Sequence, residues 1–120
     1  MYTGIIVDDA VVMQLRLKEI LQGKYDIVAE ALDGEAAVAC YKEHNPDFIT
    51  LDITMPKMNG FEVIEKLLEY DPEAAIVIVS AVGQKQMVFK ALNLGAKDFI
   101  VKPFEPDRVL QAINRLFGKE

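Results

Sequence analysis

Short apolar runs alternate with helical apolar stripes five times along this chain of 120 residues. The runs are rich in β-branched residues and almost uninterrupted, which is typical of strands that are buried on both faces. They are GIIV (4–7), YDIVAEAL (25–32), DFITL (47–51), AAIVIVS (74–80) and DFIV (98–101). After each run, apolar residues recur every three or four positions, and this spacing predicts an amphipathic helix.

Turn and breaker residues separate these elements. Gly23 and Gly95 follow helical stripes and are suitable helix ends. Pro46 and Pro72 push the residue before each of them out of the helical region, so two further helices are expected to end there. After the third strand the chain leaves through Met-Pro, and Asn59 predicts the start of a new helix.

Five strand–helix units predict an α/β fold. Right-handed crossovers lead to a doubly wound, five-stranded parallel sheet with five helices on its two faces, a flavodoxin-like arrangement. The expected strand order is 2-1-3-4-5. The length predicts one domain over residues 1–120, with neither linker nor internal repeat.

Composition narrows the classes of protein that remain. The net charge is −6 and the 13 Lys and Arg residues form no basic stripe, which argues against direct nucleic-acid binding. No apolar stretch is long enough to span a bilayer, so membrane insertion is not expected. Cys40 is the only cysteine, which excludes an intramolecular disulfide and fits a reducing compartment. We therefore expect a soluble, cytoplasmic and monomeric protein.

Polar residues end four of the five predicted strands. Asp8 and Asp9 follow the first strand, Asp52 the third, Ser80 ends the fourth and Lys102 follows the fifth. In an open parallel sheet, ligands bind beyond the carboxyl ends of the strands, where the strand order reverses. With the order 2-1-3-4-5, strands one and three are neighbours, so the three carboxylates are expected to converge there.

Three converging carboxylates require a proton or a cation. Two like charges about 4 Å apart repel by about 4 kcal/mol at an effective dielectric constant near 20. A site with oxygen ligands alone favours a hard ion, and Mg²⁺ that keeps several waters is the natural candidate. Lys102 and the Ser80 hydroxyl complete a set that suits phosphoryl transfer to a carboxylate, because metal and lysine offset charge on the phosphoryl oxygens.

Each of these residues also has a purely structural interpretation. Asp8 and Asp9 together resemble a helix N-cap followed by a first-turn acid. Asp52 can be a turn residue, Ser80 an ordinary strand-end hydroxyl and Lys102 a solvated surface residue. We favour the chemical interpretation because all five are predicted to meet at one edge of the sheet.

Four segments resemble the receiver domains of two-component response regulators, and the resemblance covers essentially the whole chain. They are IIVDDA (5–10), LDITMPKMNGFEV (51–63), VSA (79–81) and GAKDFIVKPF (95–104). Within that family, the chain is most similar to the single-domain chemotaxis regulators. The resemblance implies that Asp52 is the phosphoacceptor. It also implies that Asp9 and Asp52 bind Mg²⁺ directly, that Asp8 holds metal-bound water and that the Thr54 backbone carbonyl joins the metal.

The resemblance implies further roles near the fifth strand. Lys102 is expected to contact a phosphoryl oxygen, and a cis peptide bond between Lys102 and Pro103 would aim that side chain. Ser80 stands where the family has Thr or Ser, a hydroxyl that moves toward the phosphoryl group. Phe99 stands at the aromatic switch position, although an ordinary core role is the alternative for it.

The function implied is that of a phosphorelay switch. A sensor histidine kinase would donate the phosphoryl group. The surface formed by helix four, strand five and helix five would then control a target, such as the flagellar motor switch. A phosphatase is a further expected partner. The protein would promote its own phosphorylation and dephosphorylation, without turnover of external substrates.

One alternative within the family remains open, and two alternatives from other classes are set aside. The chain can be the receiver of a longer regulator with a separate output domain, although its last helix ends in RLFGKE with no linker beginning. A carboxylate-nucleophile phosphatase of the haloacid dehalogenase type would need an Asp two residues after the nucleophile, and Thr54 stands there. A flavodoxin-type flavin carrier would need a hydroxyl- and glycine-rich loop after the first strand, where the sequence is DDAVV.

Overall fold

The computed structural model describes residues 1–53, 55 and 59–118. Ten elements alternate along these described residues, as predicted. The strands are β1 (Thr3–Val7), β2 (Asp26–Ala31), β3 (Phe48–Asp52), β4 (Ile76–Ala81) and β5 (Asp98–Lys102). The helices are α1 (Val11–Leu21), α2 (Gly34–His44), α3 (Gly60–Tyr70), α4 (Lys85–Leu94) and α5 (Pro106–Leu116).

The five strands form one parallel sheet in the order β2-β1-β3-β4-β5, which confirms the predicted topology. The order reverses between β1 and β3, so the carboxyl ends of these two strands frame the switch point of the sheet. Within the described ranges, every helix is too short or too polar to cross a bilayer.

Helices cover the sheet on both faces, as the uninterrupted strand runs predict. Alternate residues of β1 enter different cores: Ile5 faces the core under α2, α3 and α4, whereas Ile6 faces the core under α1 and α5. Both side chains are fully buried. Because side chains alternate along a strand, an uninterrupted apolar run serves two layers of helices at once.

Every strand begins and ends within two residues of its predicted run, and two of the differences have a clear hydrogen-bonding cause. We expected AAIVIVS to form a strand from position 74, but the Ala74 amide donates to the Asp71 carbonyl at 3.0 Å in a turn, and β4 begins at Ile76. Tyr25 was expected to open the second strand. Its amide instead donates to the Leu21 carbonyl at 3.0 Å, which holds it in the turn that follows α1, and β2 begins at Asp26.

Gly4 interrupts the apolar run of β1 because a ring occupies its side-chain space. Parallel pairing places Phe48 of β3 opposite Gly4, and a Cβ at position 4 would lie 2.1 Å from Phe48 Cζ. Phe48 is fully buried and meets the Tyr25 ring edge-on at 5.4 Å, so it has little room to move aside. Packing therefore requires glycine at position 4, and the contacts of the Phe48 ring offset the loss of strand stability that a glycine causes.

Replacing Gly4 with alanine is expected to destabilise the protein by about 1–3 kcal/mol, the usual cost of overpacking a core. The measurement is urea unfolding followed by circular dichroism, since the chain has no tryptophan. Adding Phe48→Leu should recover part of the loss, because a smaller side chain leaves room for the new methyl group. A Gly4→Ala variant as stable as the parent would contradict this packing.

Candidate functional site

The carboxyl ends of β1 and β3 bring three carboxylates together. Asp8 follows β1 directly and Asp52 is the last residue of β3. One oxygen from each of Asp8, Asp9 and Asp52 lies within 4.8 Å of the others. Asp8 is 1% exposed and Asp52 4% exposed, whereas Asp9 is open to solvent. Two carboxylates of the cluster, Asp8 and Asp52, are therefore buried, and the third, Asp9, is accessible from solvent.

Hydrogen bonds show what Asp8 does in this structure. Its Oδ1 accepts from the Ala10 amide at 2.9 Å, and its own amide donates to the Ala31 carbonyl at 3.1 Å. Ala10 is the N-cap of α1, and that helix has neither a side-chain cap nor an acidic residue in its first turn. The helix-capping interpretation of Asp8 and Asp9 is therefore wrong: their side chains serve the cluster and the turn before the helix.

Lys102 supplies the positive charge of the cluster. Its Nζ forms an ion pair with Asp8 Oδ2 at 2.9 Å, although the two groups are not aligned as a hydrogen bond. The same Nζ donates a hydrogen bond to Asp52 Oδ2 at 3.3 Å. Burial by itself lowers the pKa of Lys102, but the two carboxylates more than offset this and raise its pKa above the usual lysine value. The lysine is thus a partly buried, charged member of the site, not a solvated surface residue.

The peptide bond between Lys102 and Pro103 is cis. It lies where β5 ends, one residue before the buried Phe104.

Ser80 lies at the end of β4, two strands from β1. It is 1% exposed, and its Oγ makes no hydrogen bond with any residue that the structure describes. A buried hydroxyl without a partner costs about 1–3 kcal/mol. Such a cost is tolerated where a group awaits a ligand or a second conformation.

A cavity of about 320 Å³ joins Ser80 to the outer part of β5. Its lining includes Ser80, Val88 of α4, and Phe99 and Val101 of β5. Phe99 is half-buried, and its ring packs at the edge of the core under α4. The structure therefore places Ser80 and Phe99, the two expected switch residues, on one cavity between β4, β5 and α4.

Arg108 of α5 also contacts Phe99. Its guanidinium lies 5.7 Å from the centre of the Phe99 ring and donates hydrogen bonds to the Phe99 carbonyl and, at 3.2 Å, to Asp98 Oδ1. Our sequence interpretation did not include this residue. Arg108 is the third residue of α5, and its contact with β5 depends on how the helix packs beside the strand, which the sequence pattern does not show.

Asn59 and Gly60 fix the start of α3 and hold it against the residue that follows β3. Asn59 Oδ1 accepts from the Glu62 amide at 3.0 Å and caps α3, which confirms the predicted helix start. The Gly60 amide donates to the Ile53 carbonyl at 3.2 Å, and a Cβ at position 60 would lie 2.6 Å from Ile53 Cα. Glycine permits this approach, which fixes the residue that follows Asp52.

One predicted metal ligand cannot be placed. Thr54, whose carbonyl the family resemblance adds to the metal site, lies outside the described residues, as does Pro56. The donor set that is described fits Mg²⁺ on its own chemistry. It has three carboxylates, one of them open to a hydrated ion, and no nitrogen or sulfur ligand among the residues of the cluster.

Comparison with known proteins agrees with this geometry. The sequence model described as "Response regulator receiver domain" matches residues 5–114. The chain belongs to the response regulator receiver family. Among its relatives, the receiver is 50% identical to chemotaxis protein CheY of Thermotoga maritima, over 93% of this chain and 94% of that protein. It is 51% identical to CheY of Bacillus subtilis, over 92% of this chain and 93% of that protein.

A solved structure supports the same fold for this receiver. The crystal structure of the CheX-CheY-BeF3-Mg+2 complex from Borrelia burgdorferi contains a chain that matches with a TM-score of 0.92 and 42% identity. The match covers 98% of this receiver and 90% of that chain. The receiver is thus similar to chemotaxis regulators of two-component signal transduction in both sequence and fold.

Proposed function

We propose that this receiver accepts a phosphoryl group on Asp52 from a histidine kinase, with Mg²⁺ as cofactor, and that the change alters a surface read by a target protein. The observation that carries the proposal is the meeting of Asp8, Asp9 and Asp52 within 4.8 Å beside the ammonium of Lys102. Such a cluster concentrates negative charge around one carboxylate and supplies a cation to offset it.

Asp9 and Asp52 would hold the ion directly, and Asp8 would hold it through water. The exposed Asp9 gives a hydrated ion access, and the buried Asp8 is already held by Lys102 and the Ala10 amide. When bound, Mg²⁺ supplies positive charge that offsets the charge on the phosphoryl oxygens during transfer.

In the transfer, an Asp52 oxygen forms a bond to phosphorus while the phosphorus–nitrogen bond of the donor phosphohistidine breaks. The products are an acyl phosphate and a histidine, whose released nitrogen takes a proton from water. Lys102 stays protonated at neutral pH because its pKa is raised, so it offsets the charge of the incoming group at Asp52. The chain acts on its own carboxylate and is not a turnover enzyme.

The same site can drive a conformational switch. A phosphoryl group has more negative charge and more acceptor oxygens than the carboxylate that it replaces. Ser80 has a buried hydroxyl that no described residue satisfies, so it gains a partner when the phosphoryl group forms. Movement of Ser80 changes the cavity that it shares with Phe99, and the surface of α4, β5 and α5 changes with it.

The partners follow from the relatives. Chemotaxis proteins named CheY are about half identical to this chain, and a CheX–CheY complex matches its fold. By likeness, we infer a chemotaxis kinase as donor, a flagellar motor component as target and a phosphatase as a further partner.

Intact mass after incubation with acetyl phosphate tests the proposed function. We expect one added phosphoryl group in the presence of Mg²⁺ and none when the metal is chelated. Asp9→Ala should need much more Mg²⁺ for the same adduct. Beryllofluoride binding is the follow-up if hydrolysis outpaces detection. Absence of both the adduct and beryllofluoride binding would contradict a working phosphoacceptor site.

Ser80→Ala is expected to weaken beryllofluoride binding by about tenfold or more, since a hydrogen bond to a charged group contributes about 1.5–3 kcal/mol. Nuclear magnetic resonance titration measures this change. Ser80→Thr, which keeps the hydroxyl, is the matched control and should bind nearly as well as the parent. Phe99→Ala should keep beryllofluoride affinity and lose the accompanying shifts in α4. Parental behaviour of both Ser80→Ala and Phe99→Ala would overturn the proposed switch.

A further inference from the structure

Gln14 is a polar residue on the buried face of α1. It is 8% exposed, and it shares that face with the fully buried Leu17 and Leu21. Its side-chain nitrogen, Nε2, donates two hydrogen bonds, to the Asp8 carbonyl at 2.9 Å and to the Ala31 carbonyl at 2.8 Å. One amide group of a helix therefore joins two backbone positions that lie at the ends of neighbouring strands.

The two carbonyls lie where the ladder between β1 and β2 runs out. The Asp8 amide donates to the Ala31 carbonyl at 3.1 Å, one residue beyond the end of β1. Beyond that bond, Gln14 supplies the donor that a longer strand would have provided. Asp8 and Ala31 are both buried, so without the Gln14 amide their carbonyls would lose a hydrogen bond that water could not replace.

Asp8 is thereby held at four points, the first of which is its amide, bonded to the Ala31 carbonyl. Its carbonyl accepts from Gln14, its Oδ1 accepts from the Ala10 amide, and its Oδ2 pairs with Lys102. The next residue is Asp9, whose carboxylate must stay within 4.8 Å of two others. Like charges at that distance push apart, and a fixed backbone at Asp8 resists the spreading.

We propose that Gln14 is a positioning residue for the Mg²⁺ site, an inference that rests on the function proposed above. By holding the Asp8 backbone, Gln14 keeps the Asp8 and Asp9 carboxylates in place before the ion arrives. A preorganised site binds its ion more tightly, because less free energy is spent on ordering the ligands when the ion binds. Groups that orient metal ligands typically change metal affinity by about 10–100-fold when they are replaced.

A purely structural role for Gln14 makes a different prediction. If the amide only attached α1 to the sheet, its loss would lower the free energy of unfolding and leave the Mg²⁺ affinity of the folded protein unchanged. The two roles are therefore separated by measuring Mg²⁺ affinity and stability on the same variants.

The test uses Gln14→Met, which keeps the length of the side chain and removes the donor. We expect its dissociation constant for Mg²⁺, measured by calorimetry where the variant is fully folded, to rise about tenfold. In the metal-free protein, hydrogen exchange at the Asp8 amide should quicken relative to that of Ile6. Gln14→Asn, one methylene shorter, is a second variant for which a smaller rise is expected.

Two controls make the result decisive. Tyr41→Phe removes a hydrogen bond to Asp71 that links α2 to the end of α3, far from the acidic cluster, and should leave Mg²⁺ affinity unchanged. Asp9→Ala tests the metal site itself. If Asp9→Ala weakens Mg²⁺ binding and both Gln14 variants bind like the parent, the role of Gln14 is overturned. If Asp9→Ala also binds like the parent, the proposed metal site fails instead.

Discussion

Asp52→Asn is expected to abolish phosphoryl acceptance. An amide has nearly the shape of the carboxylate but is a far weaker nucleophile, and it lacks the charge that helps to hold a cation. Intact mass after incubation with acetyl phosphate and Mg²⁺ should therefore show no adduct. The variant should fold well, because it removes one charge from a crowded cluster in which like charges repel.

Asp26→Asn is the matched control for this experiment. Asp26 is exposed at the first residue of β2, at the opposite end of the sheet from the cluster, so its replacement should leave the adduct at the parental level. A stoichiometric, Mg²⁺-dependent adduct on Asp52→Asn would show that another side chain is the acceptor. Peptide mapping would then identify that side chain, with Asp8 and Asp9 as the first to inspect.

The sequence contains enough information to predict the edge of the sheet where the site lies. Parallel strands all end at one edge, so residues that follow the strands meet even when they are far apart in the chain. That rule predicts from the sequence that Asp8, Asp52 and Lys102 lie together, and in the structure the Lys102 ammonium pairs with both carboxylates.

Features that depend on strand register or helix packing were not predictable in this way. Gly4 has a low strand propensity, and it is present because the Phe48 ring fills the space that a side chain at position 4 would need. Phe48 is 44 positions away in the sequence and lies opposite Gly4 only when the strands pair. Gln14 likewise stands within an apolar stripe, where a single polar residue is easily overlooked. Its two acceptors belong to different strands, so its role emerges only from their pairing.

Lys102→Met is expected to lower the free energy of unfolding of the metal-free protein by about 2–3 kcal/mol. Breaking a buried ion pair by removing one partner costs about 3–5 kcal/mol. The expected value is lower because the lysine side chain is 22% exposed. The loss arises because Asp8 and Asp52 remain buried and charged without their cation. Saturating Mg²⁺ should restore much of the stability, since the ion replaces the missing positive charge.

Urea unfolding with and without Mg²⁺ measures both effects. Lys97→Met is the matched control: this lysine is exposed just before β5, and its replacement should change stability by no more than about 0.5 kcal/mol. If Lys102→Met were as stable as the parent when Mg²⁺ is chelated, the Lys102 ammonium would not be needed to stabilise the buried carboxylates of Asp8 and Asp52.

The pH dependence of the same difference gives an independent check. The pKa of Lys102 is raised in the folded protein, so its contribution is fully present below the unfolded lysine value of about 10.4 and is lost as pH rises through the folded value. The stability gap between the parent and Lys102→Met should therefore stay constant from about pH 7 to pH 10 and narrow only above that. A gap that closed near neutral pH would mean that the ammonium loses its proton there, contrary to its pairing with Asp8 and Asp52.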